Sequence, residues 1–525
     1  MDIDMNIFHG ELRARLQRVE AGREERVAAG TYDGVPSVAE LLAGRDVLVT
    51  GGSGFLGRVL LEKLLRSCPD IGTVFLLLRA KRGVPPEERV AGIVNVPLFD
   101  QLRREQPTAI SKLVPVAGDC AELGLGLSPE DRAMLQDRVF IVFHGAASVR
   151  FDDPVSKAVL INTRGAREVA ALCAGMRQLQ TLVYVSTAYT NMDQHWVQER
   201  LYPTQMDWRT MIAASENADT AATMNSLGQK LLGHQPNTYT FSKALAEQVM
   251  AEAAATIPIV IVRPAIVIGA AKEPLPGWLD NVNSPATIWV GVNMGVLRVS
   301  KLSKPEVRYD WMPVDVVTKA TIVAAWAKAT KQLGSDVLPV VNAALSDVHP
   351  VTEEQITEIY NEMTRRTVPF SSAVRYPVHI HCKCWIQYAV IYLVYHLMFG
   401  LIMDALLRLA GKKPRLIKVY RKIAAAEVVL VPIAERLRNI RFETCGFWDL
   451  QRLMHPDDVK NFDFDLDSLD PRVDSISMLK GIWQYTLKGK FDKENGLRHI
   501  DRLFWMEIGF YVCLVAILIY LYLPI

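Results

Sequence analysis

Cysteine is scarce and unpatterned, seven in 525 residues, and no spacing suggests a disulfide framework. Net charge is nearly absent too. Fifty-nine Lys and Arg against 57 Asp and Glu leave +2, which gives no electrostatic case for a nucleic-acid partner. No Asn-x-Ser/Thr sequon occurs, and the opening stretch MDIDMNIFHGELRARLQRVE has no apolar core of the kind a signal peptide needs. Each absence points to a body facing the cytosol. The length argues against one core, since single cores rarely grow past about 250–300 residues.

Apolar residues are plentiful, at 50% of the chain with mean hydropathy +0.12. The stretch 508–525, IGFYVCLVAILIYLYLPI, carries no charge, and its length is near the minimum for a bilayer-spanning helix. A second run, WIQYAVIYLVYHLMFGLIM (385–403), is uncharged while His396 is neutral. Between residues 45 and 375, short apolar runs alternate with glycine turns and helical patterns. The expected strands are DVLVT, TVFLLL, KLVPVAG, VFIVFHGA, TLVYVST and IPIVIVRP, the first at 46–50 and the last at 257–264. Continuous apolar runs suit parallel strands covered on both faces. The expected fold is therefore α/β: a doubly wound, Rossmann-like parallel sheet with a smaller, mainly helical C-terminal domain and a C-terminal transmembrane helix. The expected boundaries are 1–44 for a helical extension and 45–375 for the cofactor-binding catalytic domain. An apolar membrane-associated or acyl-channel segment follows at 376–410, then a helical domain at 411–505 and the tail at 506–525.

VLVTGGSGFLG joins the first strand to its helix and places Gly51, Gly54 and Gly57 at the spacing T-G-x-x-G-x-x-G. Glycines there permit a tight turn and let a pyrophosphate approach the backbone at a helix N-terminus. The motif needs a strand before it and a helix after it, and both are present. The second strand ends LLLRAKRG, with Arg79, Lys81 and Arg82 where an NAD enzyme usually carries an acid. Cations suit a ribose 2′-phosphate, so NADPH is the expected cofactor. Asp119, just after the third strand, is placed to meet the adenine amino group.

NTYTFSKALAEQ sets Tyr239 and Lys243 four apart, one helical turn. Reducing a carbonyl requires a proton donor and a group that steadies the developing oxyanion. An ammonium beside a tyrosine favours phenolate and makes it a usable acid–base group. Lys243 can do this and can also grip the nicotinamide ribose. Thr187, or less well Ser186, ends the fifth strand where it can hold the substrate oxygen.

These stretches resemble the extended short-chain dehydrogenase/reductase family, and more narrowly the insect-type fatty acyl-CoA reductases. The matching segments are VTGGSGFLGRVLLEKLLRSCP, GDCAELGLGLSPED, VFHGAASVRFDDP, VSTAYTN, PNTYTFSKALAEQ and IVRPAIVIGAAKEPLPGWLDN. They span roughly residues 38–330 in the family's order; the C-terminal part matches less distinctly. The resemblance implies that Thr187, Tyr239 and Lys243 form the catalytic set. It implies that Gly51, Gly54 and Gly57 bind the dinucleotide and that Pro264 borders the nicotinamide. Thr50, Ser53, Phe55 and Leu56 of the same loop, and Ala146 after the fourth strand, complete the expected cofactor site. The implied reaction is NADPH-dependent reduction of long-chain acyl-CoA to a primary alcohol through an aldehyde, with release of CoA.

That substrate suits a membrane-anchored enzyme with its catalytic domain in the cytosol, at the endoplasmic reticulum or peroxisome. The tail is the expected anchor. The basic run RLAGKKPRLIKVYRK (408–422) prefers the cytosolic side, so 385–403 is expected to dip into the membrane or line an acyl channel. No metal is expected: HIHCKCW lacks zinc-site spacing, and FDFDLDSLD lacks the glycine and final glutamate of a calcium loop. Two other readings stay open on these residues, a membrane-bound hydroxysteroid dehydrogenase and a catalytically silent dinucleotide-binding scaffold.

Overall fold

The computed structural model describes residues 5–80, 83–280, 285–301, 307–334, 338–345, 351–380, 382, 384–489 and 491–522. Lys81 and Arg82 lie outside the described residues. The chain clusters into two compact units, one of 1–275, 310–350 and 439–469, the other of 276–309, 351–438 and 470–525.

The first unit is built on seven parallel strands. They are β1 (Asp46–Thr50), β2 (Val74–Leu78), β3 (Leu113–Ala117), β4 (Val139–His144), β5 (Thr181–Val185), β6 (Ile259–Pro264) and β7 (Val340–Ala343). Their order is β7-β6-β5-β4-β1-β2-β3, the doubly wound, Rossmann-like arrangement. Six of them fall on the six apolar runs read from the sequence. β7 does not: VVNA is short and carries a buried asparagine, which donates to the carbonyls of Val197 and Glu443. A four-residue run with a polar member has no readable period.

β2, β4 and β6 are buried along their whole length, because helices cover both faces. The helices that matter for the site are α1 (Phe55–Ser67), α2 (Pro86–Val94), α3 (Gly165–Ala174), α4 (Thr238–Ala253) and α5 (Val314–Ala329). Strand order reverses at β1, between β2 and β4, and ligands of such sheets bind outside the strand C-termini at that point. Register sets Thr50 beside His144, and His144 beside Tyr184, in one row at that edge.

Segment 439–469 is tied to this unit by charge. Lys319 of α5 pairs with Asp465 and, at 2.8 Å, with Glu273, which also meets Lys63 of α1 at 2.9 Å. The acidic run FDFDLDSLD is therefore partly spent on lysines. Asp458 accepts the Val38 N–H at 2.8 Å, and burial pushes its carboxyl up to about 7. The folded-state value lies above the unfolded one, so ionising Asp458 costs stability as pH rises from about 4 toward 7. Asp458→Asn cannot ionise. It should melt about 2 °C or more above wild type at pH 8, with the gap shrinking as pH falls toward 4.

In the second unit the helix Trp385–Leu409, α6, is 25 residues long and apolar enough to cross a membrane by length and composition. It runs past the predicted 385–403 into the basic segment and contains a π-helical stretch, Tyr392–Met398. Ile386, Val390, Leu393, Leu397 and Leu401 lie exposed at helix-face spacing. The predicted tail lies on α8 (Lys493–Tyr522), which follows α7 (Leu416–Leu437); 523–525 are outside the described residues. Glu507 of α8 is held by Arg298 at 2.5 Å and Arg375 at 2.7 Å.

Candidate active site

The turn after β1 is shaped for close backbone approach. Gly51 has φ +77°, and a Cβ there would lie 2.7 Å from the Ala146 nitrogen. A Cβ on Gly57 would lie 2.2 Å from the Gly51 carbonyl oxygen. Gly54 caps α1 without a side chain, so Phe55, Leu56 and Gly57 present the helix's first N–H groups, which have no intrahelical partners. Those donors and the helix dipole fit an anion such as a pyrophosphate. A small cleft beneath the turn is lined by Thr50, Gly51, Leu56, Gly57, Phe143 and Gly145 among others. The Thr50 hydroxyl accepts the Ala146 N–H at 3.2 Å.

Arg79 follows β2 and pairs with Asp119 at 3.1 Å. Asp119 also accepts the Ala121 N–H at 3.0 Å. Arg89, on α2, is a residue that sequence reasoning missed. Its guanidinium donates to the Arg79 carbonyl at 2.6 Å and to the Ser53 hydroxyl at 3.2 Å, bridging the glycine turn and the end of β2. Burial, then the nearby charge of Arg79, lowers the affinity of Arg89 for its proton, as expected where two guanidiniums crowd one place. Only the strand order brings Arg89 back to Ser53; its place in PPEERV is unremarkable.

Tyr239 sits in the first turn of α4, started by Asn237, whose side chain accepts the Thr240 N–H at 2.9 Å. Its ring lies 5.9 Å from that of Phe151. The phenol is pushed up to about 12 by burial, partly countered by a hydrogen bond with the Thr187 side chain. Lys243, one turn on, is 2% exposed. Its Nζ donates to the Val185 carbonyl at 2.6 Å and lies 4.1 Å from the centroid of the Tyr184 ring. Burial pulls the ammonium down to about 7, while the carboxylate of Glu247 works the other way. Pro264 ends β6, and Ala265 after it donates to the Ala343 carbonyl at 2.9 Å. The structure thus groups Thr187, Tyr239 and Lys243 at one strand edge, with the glycine turn at β1 of the same sheet.

Two further buried polar residues support this edge. His144 shares a 2.6 Å hydrogen bond with Thr50; burial and the charge of Lys243 pull it down to about 3, so it is neutral. Asn162, in the π-helical turn Val159–Arg164 ahead of α3, donates to Ser242 at 2.9 Å and exchanges hydrogen bonds with the Ser148 backbone. A histidine closing an apolar strand was the only sequence signal for the first. The second had none.

Fold and crevice together define the class, an oxidoreductase that uses a nicotinamide dinucleotide on a Rossmann-like sheet. Comparison with known proteins narrows it. A family profile described as male sterility protein matches residues 49–321, and a second with the same description matches 395–489. Fatty acyl-CoA reductase 1 of Xenopus laevis is 34% identical over 492 residues, covering 92% of each chain. The Homo sapiens protein of that name is 32% identical with the same coverage, and fatty acyl-CoA reductase wat of Drosophila melanogaster is 34% identical over 81% of each chain. The chain belongs to the fatty acyl-CoA reductase family. Among solved structures, the reductase domain of a nonribosomal peptide synthetase from Mycobacterium tuberculosis aligns with TM-score 0.55 at 18% identity, over 87% of this chain and 95% of that one. The terminal R domain of the myxalamid pathway gives 0.52, also at 18% identity, over 85% and 92%. That likeness is one of fold.

Proposed function

We propose that this enzyme reduces long-chain fatty acyl-CoA to a primary alcohol with NADPH, through an aldehyde and with release of CoA. The observation that carries the reading is the Tyr239 phenol bonded to Thr187, with Lys243 one turn away, in a chain collinear with fatty acyl-CoA reductases. Bound NADPH would supply hydride, once to the thioester and once to the aldehyde. Gly51, Gly54, Gly57 and the start of α1 would hold its pyrophosphate. Thr187 orients the substrate oxygen, and Tyr239, protonated at neutral pH, donates a proton to that oxygen in each round. Lys243 in its ammonium form supports the phenolate left behind. CoA leaves as the thiol between rounds, and the buried edge keeps water from the aldehyde.

Arg79 and Arg89 support the choice of NADPH, because two guanidiniums at the end of β2 match a 2′-phosphate. Charge-assisted hydrogen bonds contribute about 1.5–3 kcal/mol each. Arg89→Ala should therefore raise KM for NADPH by about 10–100-fold and leave KM for NADH within about threefold. Equal losses for both cofactors would remove the 2′-phosphate role.

The exposed apolar face of α6 and the apolar end of α8 support a membrane-associated enzyme. Each methylene of an acyl chain adds about 0.8 kcal/mol of bilayer affinity, so a membrane concentrates this substrate. The α8 tail would be the anchor and α6 a segment dipping into the membrane, with the dinucleotide-binding unit in the cytosol at the endoplasmic reticulum or peroxisome. The test is to give detergent-solubilised full-length protein NADPH and a panel of acyl-CoAs, and to identify products by mass spectrometry. Primary alcohol, ranked by chain length, is the expected result. No alcohol or aldehyde from any acyl-CoA, with NADPH still bound, would sink the reading and return a sterol substrate or a silent scaffold.

A further inference from the structure

Glu247 stands on the helix face that already carries Tyr239 and Lys243, one turn beyond the lysine, and the proposed chemistry gives it no task. It is 2% exposed. Its carboxylate accepts the Ser186 hydroxyl at 2.5 Å, and Nε and Nη2 of Arg263 at 2.8 and 2.6 Å. Arg263, wholly buried, also reaches the carbonyls of Gln198 and Arg200 at 3.2 and 3.0 Å. Ser186 is the residue before Thr187, and Arg263 the residue before Pro264. One carboxylate thus ties the ends of β5 and β6 to α4, the three elements that carry Thr187, Pro264 and the Tyr239–Lys243 pair.

Stability alone is a poor reason for such a pair. Removing an Arg–Glu pair from water consumes most of its Coulomb gain, and apolar residues of similar volume often do as well. The surroundings of Lys243 suggest a second role. From β5 it meets the Val185 carbonyl and the Tyr184 ring, and from β4 the neutral His144. On its own helix it has Tyr239 and Glu247, with Arg263 of β6 bound to the far side of that carboxylate. Among these groups Glu247 alone is a carboxylate, and burial otherwise drives a lysine toward its neutral form.

We propose that Glu247 is a positioning residue: through Ser186 and Arg263 it sets the three strand and helix ends that carry the chemistry, and it places a carboxylate one helical turn from the Lys243 ammonium. The inference rests on the reductase reading. Wild type without reductase activity would sink that reading first, whereas active wild type lets the inference be judged by itself.

The test is kcat against pH, with melting temperature and NADPH affinity measured alongside, for wild type and for Glu247→Gln/Arg263→Met. The double variant removes both buried charges together, and so avoids stranding the guanidinium. In wild type, kcat should fall as pH rises through about 7, where Lys243 discharges. In the folded double variant this limb should move down by about one pH unit, lowering kcat at pH 8 by about tenfold. A folded variant with an unmoved limb, whether kcat is normal or uniformly reduced, would reduce Glu247 to packing and overturn the proposal. If the double variant does not fold, Glu247→Asp keeps the charge but shortens the reach. It should lower kcat about tenfold with the limb in place, and wild-type kcat there would equally overturn the proposal.

Discussion

Tyr239→Phe should lower alcohol formation by about 10²–10⁴-fold, the range for removing a positioned general acid, while the protein stays folded and binds NADPH. The phenyl ring keeps its place against Phe151, so the change removes little more than a hydroxyl and its bond to Thr187. What goes is the proposed proton donor to the substrate oxygen. Lys243 cannot substitute, because its Nζ is turned toward the Val185 carbonyl and the Tyr184 face. Turnover followed by mass spectrometry of the alcohol, with NADPH binding by fluorescence, separates the two effects. Retained turnover would show that the proton comes from elsewhere. Lost binding would place Tyr239 in the cofactor site rather than the chemistry.

Gly57→Ala should abolish useful cofactor binding, raising Kd by more than about tenfold and lowering the melting temperature. Alanine is the better helix former by about 1 kcal/mol, so propensity by itself predicts a gain. Sterics decide otherwise. The new Cβ would sit 2.2 Å from the Gly51 carbonyl oxygen and 2.7 Å from the Gly52 Cα. Both obstacles are backbone, so no side chain can swing away, and the turn proposed to receive the pyrophosphate must shift. Overpacking of this kind costs about 1–3 kcal/mol in stability. Gly92 in α2 is the control: a Cβ there meets nothing within 4 Å. Gly92→Ala should bind NADPH as wild type does and melt no lower. Equal behaviour of the two variants would mean that the turn tolerates a side chain and that the cradle is not as tight as its geometry implies.

Local features of the site were legible because their causes are local. A tyrosine and a lysine four apart share a face of any helix, and Thr187 follows an apolar strand in any register. The glycine spacing between a strand and a helix likewise means the same thing wherever the sheet lies. The six continuous apolar runs became strands for a related reason, since continuous burial leaves a continuous pattern. Partners distant in sequence were not legible. Arg89 reaches Ser53 because β2 lies beside β1, and Asp119 faces Arg79 because β3 lies beside β2. His144 meets Thr50 because β4 takes the other side of β1.

The same division holds for the whole chain. The sequence by itself determined the parallel, doubly wound sheet, the dinucleotide turn and the Tyr239–Lys243 pair, since periodicity, glycine sterics and helical spacing act within one or two turns of chain. Tertiary structure decided that 439–469 joins the sheet unit through Lys319 and Asp465, that VVNA becomes an edge strand, and that Glu247 faces Arg263. Those outcomes depend on which strand lies beside which. Strand order is settled by how the helices cover both faces of the sheet, and no window of sequence contains that information.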